Sequence, residues 1–310
     1  MQYYQIFQQV VATLKEKAQL FDQQLYNDYL QIFKHLPPQN DFTFTHIMME
    51  YISDFNIPGI YFYQKQKYYP GFFVQRSNDV LVVTDVIDDL QFVIGDEITL
   101  MSHDSILELS ERYKKHFYEK HNEYQDWSFI LQKQKEVKVK RGDTCYSFEL
   151  GQYLYPQSQL RKVERETLNY QVFTIYNLDE LDFDQVADMS LQPLILDLRH
   201  AFGTKAISTQ LLSKVHEIIK QHTIFIIQSQ FTCGTAEKLI EVLNKSDQVV
   251  TLGQPSFGMG TEFVHLTVDH FHLELPLNEG EPIVPDIELN ALYTNKDNCM
   301  LEIINRLKTI

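Results

Sequence analysis

The sequence predicts an α/β fold whose core is a parallel β-sheet covered by helices. Three apolar runs of strand length occupy residues 194–198, 223–228 and 248–253, and segments of helix length separate them. Near-continuous apolar runs are typical of strands in parallel sheets, because such sheets are buried on both faces. The alternation of strands and amphipathic helices predicts a succession of βα units.

Ligands of open α/β sheets bind beyond the carboxyl ends of the strands. In this sequence the three strands are followed by loops at residues 199–204, 229–235 and 253–261. We therefore expect the functional site in these three loops.

Four short segments in and after these loops resemble the tail-specific, or C-terminal processing, serine protease family. They are DLR at 197–199, TCGTAE at 232–237, GQPSFGMG at 253–260 and PDIE at 285–288. Their order and spacing together are more specific than any one segment. The resemblance implies a crotonase-like spiral of βα units for the protease-like core, residues 156–310.

Residues 1–56 are predicted to form an N-terminal helical cap. Apolar residues recur there at helical spacing from Ile6 to Phe33, and Pro37 and Pro38 interrupt the pattern. A helical region at this position is similar to the N-terminal part of some family members. We expect it to pack on the next domain without contributing chemistry.

Residues 57–155 are predicted to form a β-rich domain, with a first strand from Pro58 and one helix over residues 108–132. The Gly-Asp turn at Gly95 and Asp96 resembles a PDZ-like module, in which a peptide can add to an exposed sheet edge. These two residues are therefore predicted to bind peptide. A small β-rich domain without a ligand is the alternative.

The resemblance also identifies the positions where the family carries its chemistry. A serine nucleophile belongs at Gly234, its lysine base at Met259 and a polar partner at Phe263. Glycine offers no nucleophile and methionine accepts no proton, so the site is degenerate and catalytic inactivity is predicted. Gly203 and Thr235 take the positions of an oxyanion-like turn.

The predicted function is therefore the binding of a peptide or unfolded protein segment. Phe257 and Gly258, in the third loop, are predicted to contact it together with the PDZ-like turn. No cofactor is expected, and the sequence leaves open a homo-oligomer.

An active hydrolase with a re-sited nucleophile is the first alternative. Cys233 lies at a helix start, where the dipole favours a thiolate, and His200, His265, His270 and His272 are potential bases. Ser229 and Thr235 are weaker nucleophile candidates, because the motifs place no base beside them. A rotation of about 100° per helical residue predicts that Cys233 points away from the old nucleophile's target.

A structural protein whose groove is filled by Phe202, Met259 and Phe263 is the second alternative. A metal site is not expected. His270 and His272 have strand spacing and are predicted to share one face, but a strand edge explains them without a third ligand.

The net charge of −15, from 42 acidic and 27 basic residues, disfavours nucleic acid and anionic membranes as partners. The sequence has no apolar run of 18 residues, and residues 1–6 lack the features of a secretory signal. Its three cysteines are scattered, which favours a reducing, cytoplasmic location.

Overall fold

The computed structural model describes residues 2–56, 59–64, 68–117, 125–165, 168–260, 262–278, 280–289 and 297–309. The predicted strand start at Pro58, the loop end at Thr261 and residues 118–124 of the predicted helix lie outside these ranges.

Three helices open the chain, and the second and third begin at side-chain caps. Asp22 and Asn40 accept hydrogen bonds from the backbone N–H groups of Leu25 and Thr43. The helices are α1 (Tyr3–Ala18), α2 (Gln23–His35) and α3 (Asp41–Ser53).

In its described residues, the middle of the chain is mostly β-structure with two short α-helices and a 3-10 turn at Lys114–His116. Its elements are β1 (Tyr61–Gln64), β2 (Tyr68–Tyr69), β3 (Phe72–Ser77), β4 (Val80–Val86), β5 (Glu97–Met101), β6 (Asp104–Ser105), α4 (Ile106–Arg112), α5 (Ser128–Leu131), β7 (Glu136–Arg141), β8 (Thr144–Glu149) and β9 (Tyr153–Leu154).

The last part of the chain alternates strands and helices before a hairpin and a final helix. Its elements are β10 (Gln159–Arg165), β11 (Leu168–Thr174), α6 (Phe183–Ala187), β12 (Leu194–Asp197), α7 (Thr209–Ile219), β13 (Ile224–Gln228), α8 (Thr235–Leu243), β14 (Val249–Gly253), β15 (Phe263–Val268), β16 (Phe271–Pro276), β17 (Ile287–Glu288) and α9 (Asn298–Leu307).

The core is a six-stranded sheet in the order β10-β11-β12-β13-β14-β17. The pairs from β11 to β17 are parallel, and β10 joins β11 as an antiparallel edge. The parallel arrangement predicted for the three apolar runs is confirmed. Apolar clusters cover both faces of the sheet, so its strands are buried on each side.

The predicted helix over residues 108–132 is wrong in the described part of the chain. α4 ends at Arg112, a single 3-10 turn follows at Lys114–His116, and α5 begins at Ser128. Trp127, Ile130 and Leu131 instead enter the core of a second sheet, in the order β3-β4-β5-β7-β8. Burial of this apolar segment replaces the continuous solvent-facing helix that its flanking charges suggested.

The N-terminal helices pack on a third sheet, in the order β1-β16-β15. Phe44 of α3 makes edge contacts with Phe62 and Phe271 on one face of this sheet. The opposite face, which carries Tyr61, Tyr63 and Glu274, turns towards the core loops. No helix in the described ranges has the length and apolar character needed to cross a bilayer.

Candidate functional site

Gly234 is the N-cap residue of α8 and adopts φ +62° and ψ −123°. L side chains rarely adopt this conformation. A Cβ atom built on Gly234 would lie 2.3 Å from the carbonyl oxygen of Gly203. The predicted nucleophile position therefore keeps a sharp strand-to-helix turn but has no room for a side chain.

Glu237 links Gly234 and Met259, two of the three predicted degenerate positions. One carboxylate oxygen accepts hydrogen bonds from the backbone N–H groups of Gly234 (3.0 Å) and Met259 (2.9 Å). The other accepts from the Ser256 hydroxyl (2.5 Å) and the Gly258 N–H (2.6 Å). Burial raises the pKa of Glu237 above its usual range, although these hydrogen bonds oppose the shift.

Met259 and Phe263 approach Gly234 from separate segments. The Phe263 ring, on β15, comes within 3.6 Å of the Cβ position built on Gly234. Met259 is buried, and its side chain packs against Gly59. The structure thus brings the three predicted degenerate positions together, and none of them supplies a nucleophile or a base.

The predicted oxyanion-like turn is occupied by the protein's own backbone. The Thr235 N–H donates to the Gly203 carbonyl at 2.8 Å, and the Cys233 N–H donates to the Ala201 carbonyl at 3.0 Å. An oxyanion would have to displace the first of these bonds to reach Thr235. The role of Gly203 and Thr235 as oxyanion donors remains a prediction.

A cavity of about 1160 Å³ lies between the core loops, the β1-β16-β15 sheet and the second sheet, β3-β4-β5-β7-β8, which is called the β3-β8 sheet below. The core loops contribute Gly203, Cys233, Phe257 and Met259 to its wall. Its lining is rich in aromatic side chains, including Tyr61, Tyr63, Phe72, Phe73, Trp127, Phe129, Tyr155, His200, Phe202 and Phe231. Phe202 and Met259 line this space without filling it.

His200 is packed as an aromatic ring. It stacks on Phe73 with ring centroids 3.9 Å apart and faces Phe231 at 5.9 Å. Burial lowers the pKa of His200 to about 3, and the neighbouring Arg199 cation adds to the shift. The imidazole is therefore neutral near pH 7.

Arg199 and Asp197 form a buried ion pair behind this loop. The guanidinium contacts Asp197 at 2.6 and 2.9 Å and Asp297, the N-cap of α9, at 2.9 Å. Burial alone would raise the pKa of Asp197, but the Arg199 charge and hydrogen bonds hold it below its usual range. The DLR segment therefore fixes the carboxyl end of β12 against the last helix.

The prediction that Cys233 points away from the old site is wrong. The residue is 7% exposed and lines the cavity. Residues 233 and 234 both precede the first helical residue of α8, so the helical rotation per residue does not apply. The hydroxyl groups of Ser229 and Thr235 donate to the backbone carbonyls of Arg199 and Lys205.

The two histidines with strand spacing do not share a strand face, which corrects that prediction. His270 lies in the β15-β16 turn and contacts Asp41 of α3 at 2.9 Å, whereas His272 lies on β16 and stacks on Tyr63. Within the described residues, no group of three or more His, Cys, Asp and Glu side chains is arranged to hold a metal ion.

His265 belongs to a polar network that faces the core loops. Its Nδ1 contacts Glu274 and lies 3.4 Å from the Thr204 hydroxyl. The Tyr63 hydroxyl donates to the other oxygen of Glu274 at 3.0 Å. Burial, with the nearby Glu274, raises the pKa of Tyr63.

Gly95 and Asp96 lie away from the described lining of the cavity. Asp96 is fully buried and accepts two hydrogen bonds of 2.7 Å from the Arg141 guanidinium. Its carboxylate also accepts the Val93 N–H at 3.0 Å, which fixes the turn before β5. A role of Gly95 and Asp96 in peptide binding remains a prediction.

Sequence reasoning missed Tyr63 and Glu274 as members of the site. They come from segments 211 residues apart and carry no local motif. Glu237 had a local signal, since a glutamate at the third helical position commonly bonds the N-cap backbone.

The solved structures that resemble this chain include CPAF complexed with lactacystin, with a TM-score of 0.57 and 10% identity over 99% of this chain and 98% of that one. Mature CPAF matches with a TM-score of 0.56 and 10% identity over 99% and 96%. The photosystem II D1 C-terminal processing protease matches with a TM-score of 0.47 and 10% identity over 97% of each chain. At these identities the likeness concerns the fold.

The chain therefore has a tail-specific protease-like fold, and the resemblance predicted from the sequence is confirmed at that level. No protein-family model and no curated protein sequence matches the chain.

Proposed function

We propose that this protein is a non-catalytic member of the tail-specific protease group that binds an extended peptide or unfolded protein segment. The observation that carries the proposal is an open, aromatic-lined cavity that Cys233 and Met259 border. At the positions where the family carries its nucleophile and its base, Gly234 and Met259 offer neither group, which supports inactivity. The cavity supports peptide binding.

The geometry of the cavity favours an extended peptide as the ligand. Its volume of about 1160 Å³ exceeds the range of roughly 300–1,000 Å³ that is usual for small-molecule pockets. β3 lies at one end of its sheet in strand order, and Phe72, Phe73 and Val74 contribute to the cavity wall. An extended segment can pair with such an edge while its side chains enter the aromatic groove.

The finer architecture is part of the same proposal. We assign a crotonase-like spiral to the core and a PDZ-like character to the β3-β8 sheet with α4. A reducing, cytoplasmic location fits an exposed Cys145 thiol in a chain whose three cysteines form no disulfide.

The test combines binding and cleavage on the purified full chain. A fluorescein-labelled pool of randomised decapeptides is titrated with protein, and fluorescence polarisation and Trp127 emission are recorded. We expect saturable binding that changes the emission of Trp127, because this indole lines the cavity. Mass spectrometry of the same mixtures is expected to show no cleaved product, and site-dependent cleavage or absence of binding would contradict the proposal.

A hydrolase that uses Cys233 is the second candidate function. Cys233 and His200 line the same cavity, and a cysteine with a histidine base is a workable nucleophilic pair. Burial lowers the pKa of His200 to about 3, which makes this imidazole a weak base and favours the binding protein over the hydrolase. Iodoacetamide labelling discriminates between the two functions, with Cys145 as an exposed internal reference. Labelling of Cys233 faster than Cys145 at neutral pH supports the hydrolase, and slower labelling supports the binding protein.

A structural protein with a closed groove is less consistent with the geometry. That interpretation required Phe202, Met259 and Phe263 to fill the cleft. In the described part of the chain the first two border an open cavity, and Phe263 covers Gly234 at its side.

A further inference from the structure

The carboxylate of Glu274 is fixed at the core end of the cavity, the part that β1, β16 and the core loops line. Glu274 lies on β16, directly opposite Tyr61 of β1 and His265 of β15. Its side chain lines the cavity, and the residue is 8% exposed. The Tyr63 hydroxyl donates to one oxygen and His265 Nδ1 contacts the other, so both oxygens are oriented from the side of the sheet.

Glu274 is distinguished by its charge. Among the described residues that line the cavity from β1, β16 and the core loops, it alone carries a formal charge near neutral pH. The described charged residues elsewhere in the lining are Asp126, Lys133, Lys135, Glu136 and Glu149, all from the β-rich domain. The core end therefore presents one negative group among aromatic and neutral side chains.

This arrangement has the chemistry of a site for a cation. Glu274 is paired with a neutral hydroxyl, that of Tyr63, and with the His265 imidazole, which carries a positive charge only when it is protonated. A lysine or arginine side chain of a ligand would compensate the carboxylate more fully, because a largely buried carboxylate is costly without a paired cation. Each carboxylate oxygen of Glu274 has a second acceptor site beyond its bond to Tyr63 or His265. The nearby Tyr61 and Tyr63 rings add a surface that attracts cationic groups.

We propose that Glu274 forms a subsite that selects a lysine or arginine side chain in the bound peptide. The inference rests on the proposed peptide binding and adds the class of peptide. The net charge of −15 acts in the same direction, because a negative protein attracts basic peptides during encounter.

The experiment compares two labelled decapeptide pools with randomised flanks, one with a fixed central lysine and one with acetyl-lysine. We expect wild-type protein to bind the lysine pool about tenfold more tightly, as one charge-assisted hydrogen bond allows. Glu274→Gln should bring the two affinities together with little effect on the acetyl-lysine pool. Glu149→Gln, which removes a cavity-lining charge from the β-rich domain, should preserve the tenfold preference.

The outcomes separate the two proposals. Equal affinity of wild-type protein for both pools overturns the cation subsite and leaves peptide binding standing, whereas binding of neither pool overturns both. Persistence of the preference in Glu274→Gln removes Glu274 from the subsite. If that variant does not fold, Glu149→Gln decides the question: loss of the preference in Glu149→Gln would place the cation site in the β-rich domain and overturn the proposal, whereas a retained preference that shrinks in added salt supports Glu274.

Discussion

Gly234 is held in a conformation that carries a specific cost for any side chain. Its φ of +62° disfavours an L residue, and a Cβ atom would collide with the Gly203 carbonyl. We expect Gly234→Ala to lower the free energy of unfolding by about 3 kcal/mol, from backbone strain together with overpacking. Urea denaturation followed by circular dichroism measures this loss.

Gly142→Ala is the matched control. Gly142 has a similar φ of +58° in the β7-β8 turn, but a Cβ atom there would meet no atom within 4 Å. We expect a loss of about 1 kcal/mol from backbone strain alone. Equal losses in the two variants would show that the Gly203 carbonyl moves aside without cost.

Glu237 fixes the shape of the loop around Met259. Its carboxylate accepts from three backbone N–H groups and one hydroxyl, and an amide cannot accept all four. Glu237→Gln should cost about 3 kcal/mol in thermal or urea unfolding, because buried donors lose their acceptor. Glu241→Gln, at an exposed ion pair on the same helix, should cost less than about 0.5 kcal/mol.

The interval between two sequence motifs predicts Gly234 and Met259 as the degenerate positions, and this assignment stays a prediction. Gly234 and Met259 could be found this way, and the structure brings them to one carboxylate. The side-chain direction of Cys233 could not be predicted, since it depends on where α8 begins. The contact between Tyr63 and Glu274 could not be predicted either, because it depends on the pairing of β1 with β16.

At the scale of elements, α3 docks on the β-rich domain through a stack of rings. Phe42 stacks on Phe129 at 4.5 Å, and His46 stacks on His116 at 4.4 Å with their ring nitrogens in contact. An ion pair between Lys115 and Asp54 continues the contact at 2.7 Å. Several of these side chains also line the cavity, so this interface closes one of its walls.

This interface should weaken in acid. Burial lowers the pKa of His46 and lowers that of His116 to about 3, and the two rings disfavour a shared positive charge. Because both folded-state values lie below that of an unfolded histidine, the stabilisation is complete above about pH 6.5 and is lost as the pH falls. We expect a loss of about 2 kcal/mol between pH 7 and pH 5, measured by urea denaturation, after allowance for partial exposure.

The double variant His46→Phe/His116→Phe tests this explanation, because it keeps the stacked rings and removes both titrating groups. Its loss of stability between pH 7 and pH 5 should be about 2 kcal/mol smaller than that of the wild type. His35→Asn, at an exposed histidine near the end of α2, should retain the wild-type pH dependence. A double variant that is as acid-sensitive as the wild type would locate the effect elsewhere.

The strands of the core agree with the sequence prediction, because no competing pattern interrupts their apolar runs. The starts of α2 and α3 depend on the side-chain caps Asp22 and Asn40, which the apolar periodicity alone does not mark. The segment after α4 was misassigned because its Lys, Glu and Tyr content suits a helix. Trp127 is buried by contacts with residues distant in sequence, and no local sequence pattern predicts that burial.

At the scale of the whole molecule, a cluster of charges joins three parts of the chain. Asp85 on β4 of the β-rich domain faces Arg199 and Asp197 of the core, and Asp297 caps the last helix beside them. The Arg199 guanidinium thus forms ion pairs with Asp197 and Asp297 and attracts the Asp85 carboxylate electrostatically. Burial raises the pKa of Asp85 to about 6, with Arg199 opposing the shift and the other two aspartates adding to it.

Asp85→Asn should therefore stabilise the protein at neutral pH. The folded-state pKa of Asp85 lies above the unfolded value, so folding favours the protonated carboxyl group. The free energy of unfolding is therefore full at low pH and falls as Asp85 becomes charged, when the pH rises through about 6. An amide carries no charge at any of these pH values, and we expect a gain of about 2 kcal/mol at pH 7.5 that shrinks towards zero near pH 4. Urea denaturation at the two pH values measures the gain, with Asp79→Asn in the exposed β3-β4 turn as a control that should change stability by less than about 0.5 kcal/mol. A gain of the same size at both pH values would mean that the charge of Asp85 is not what strains the junction between the β-rich domain and the core.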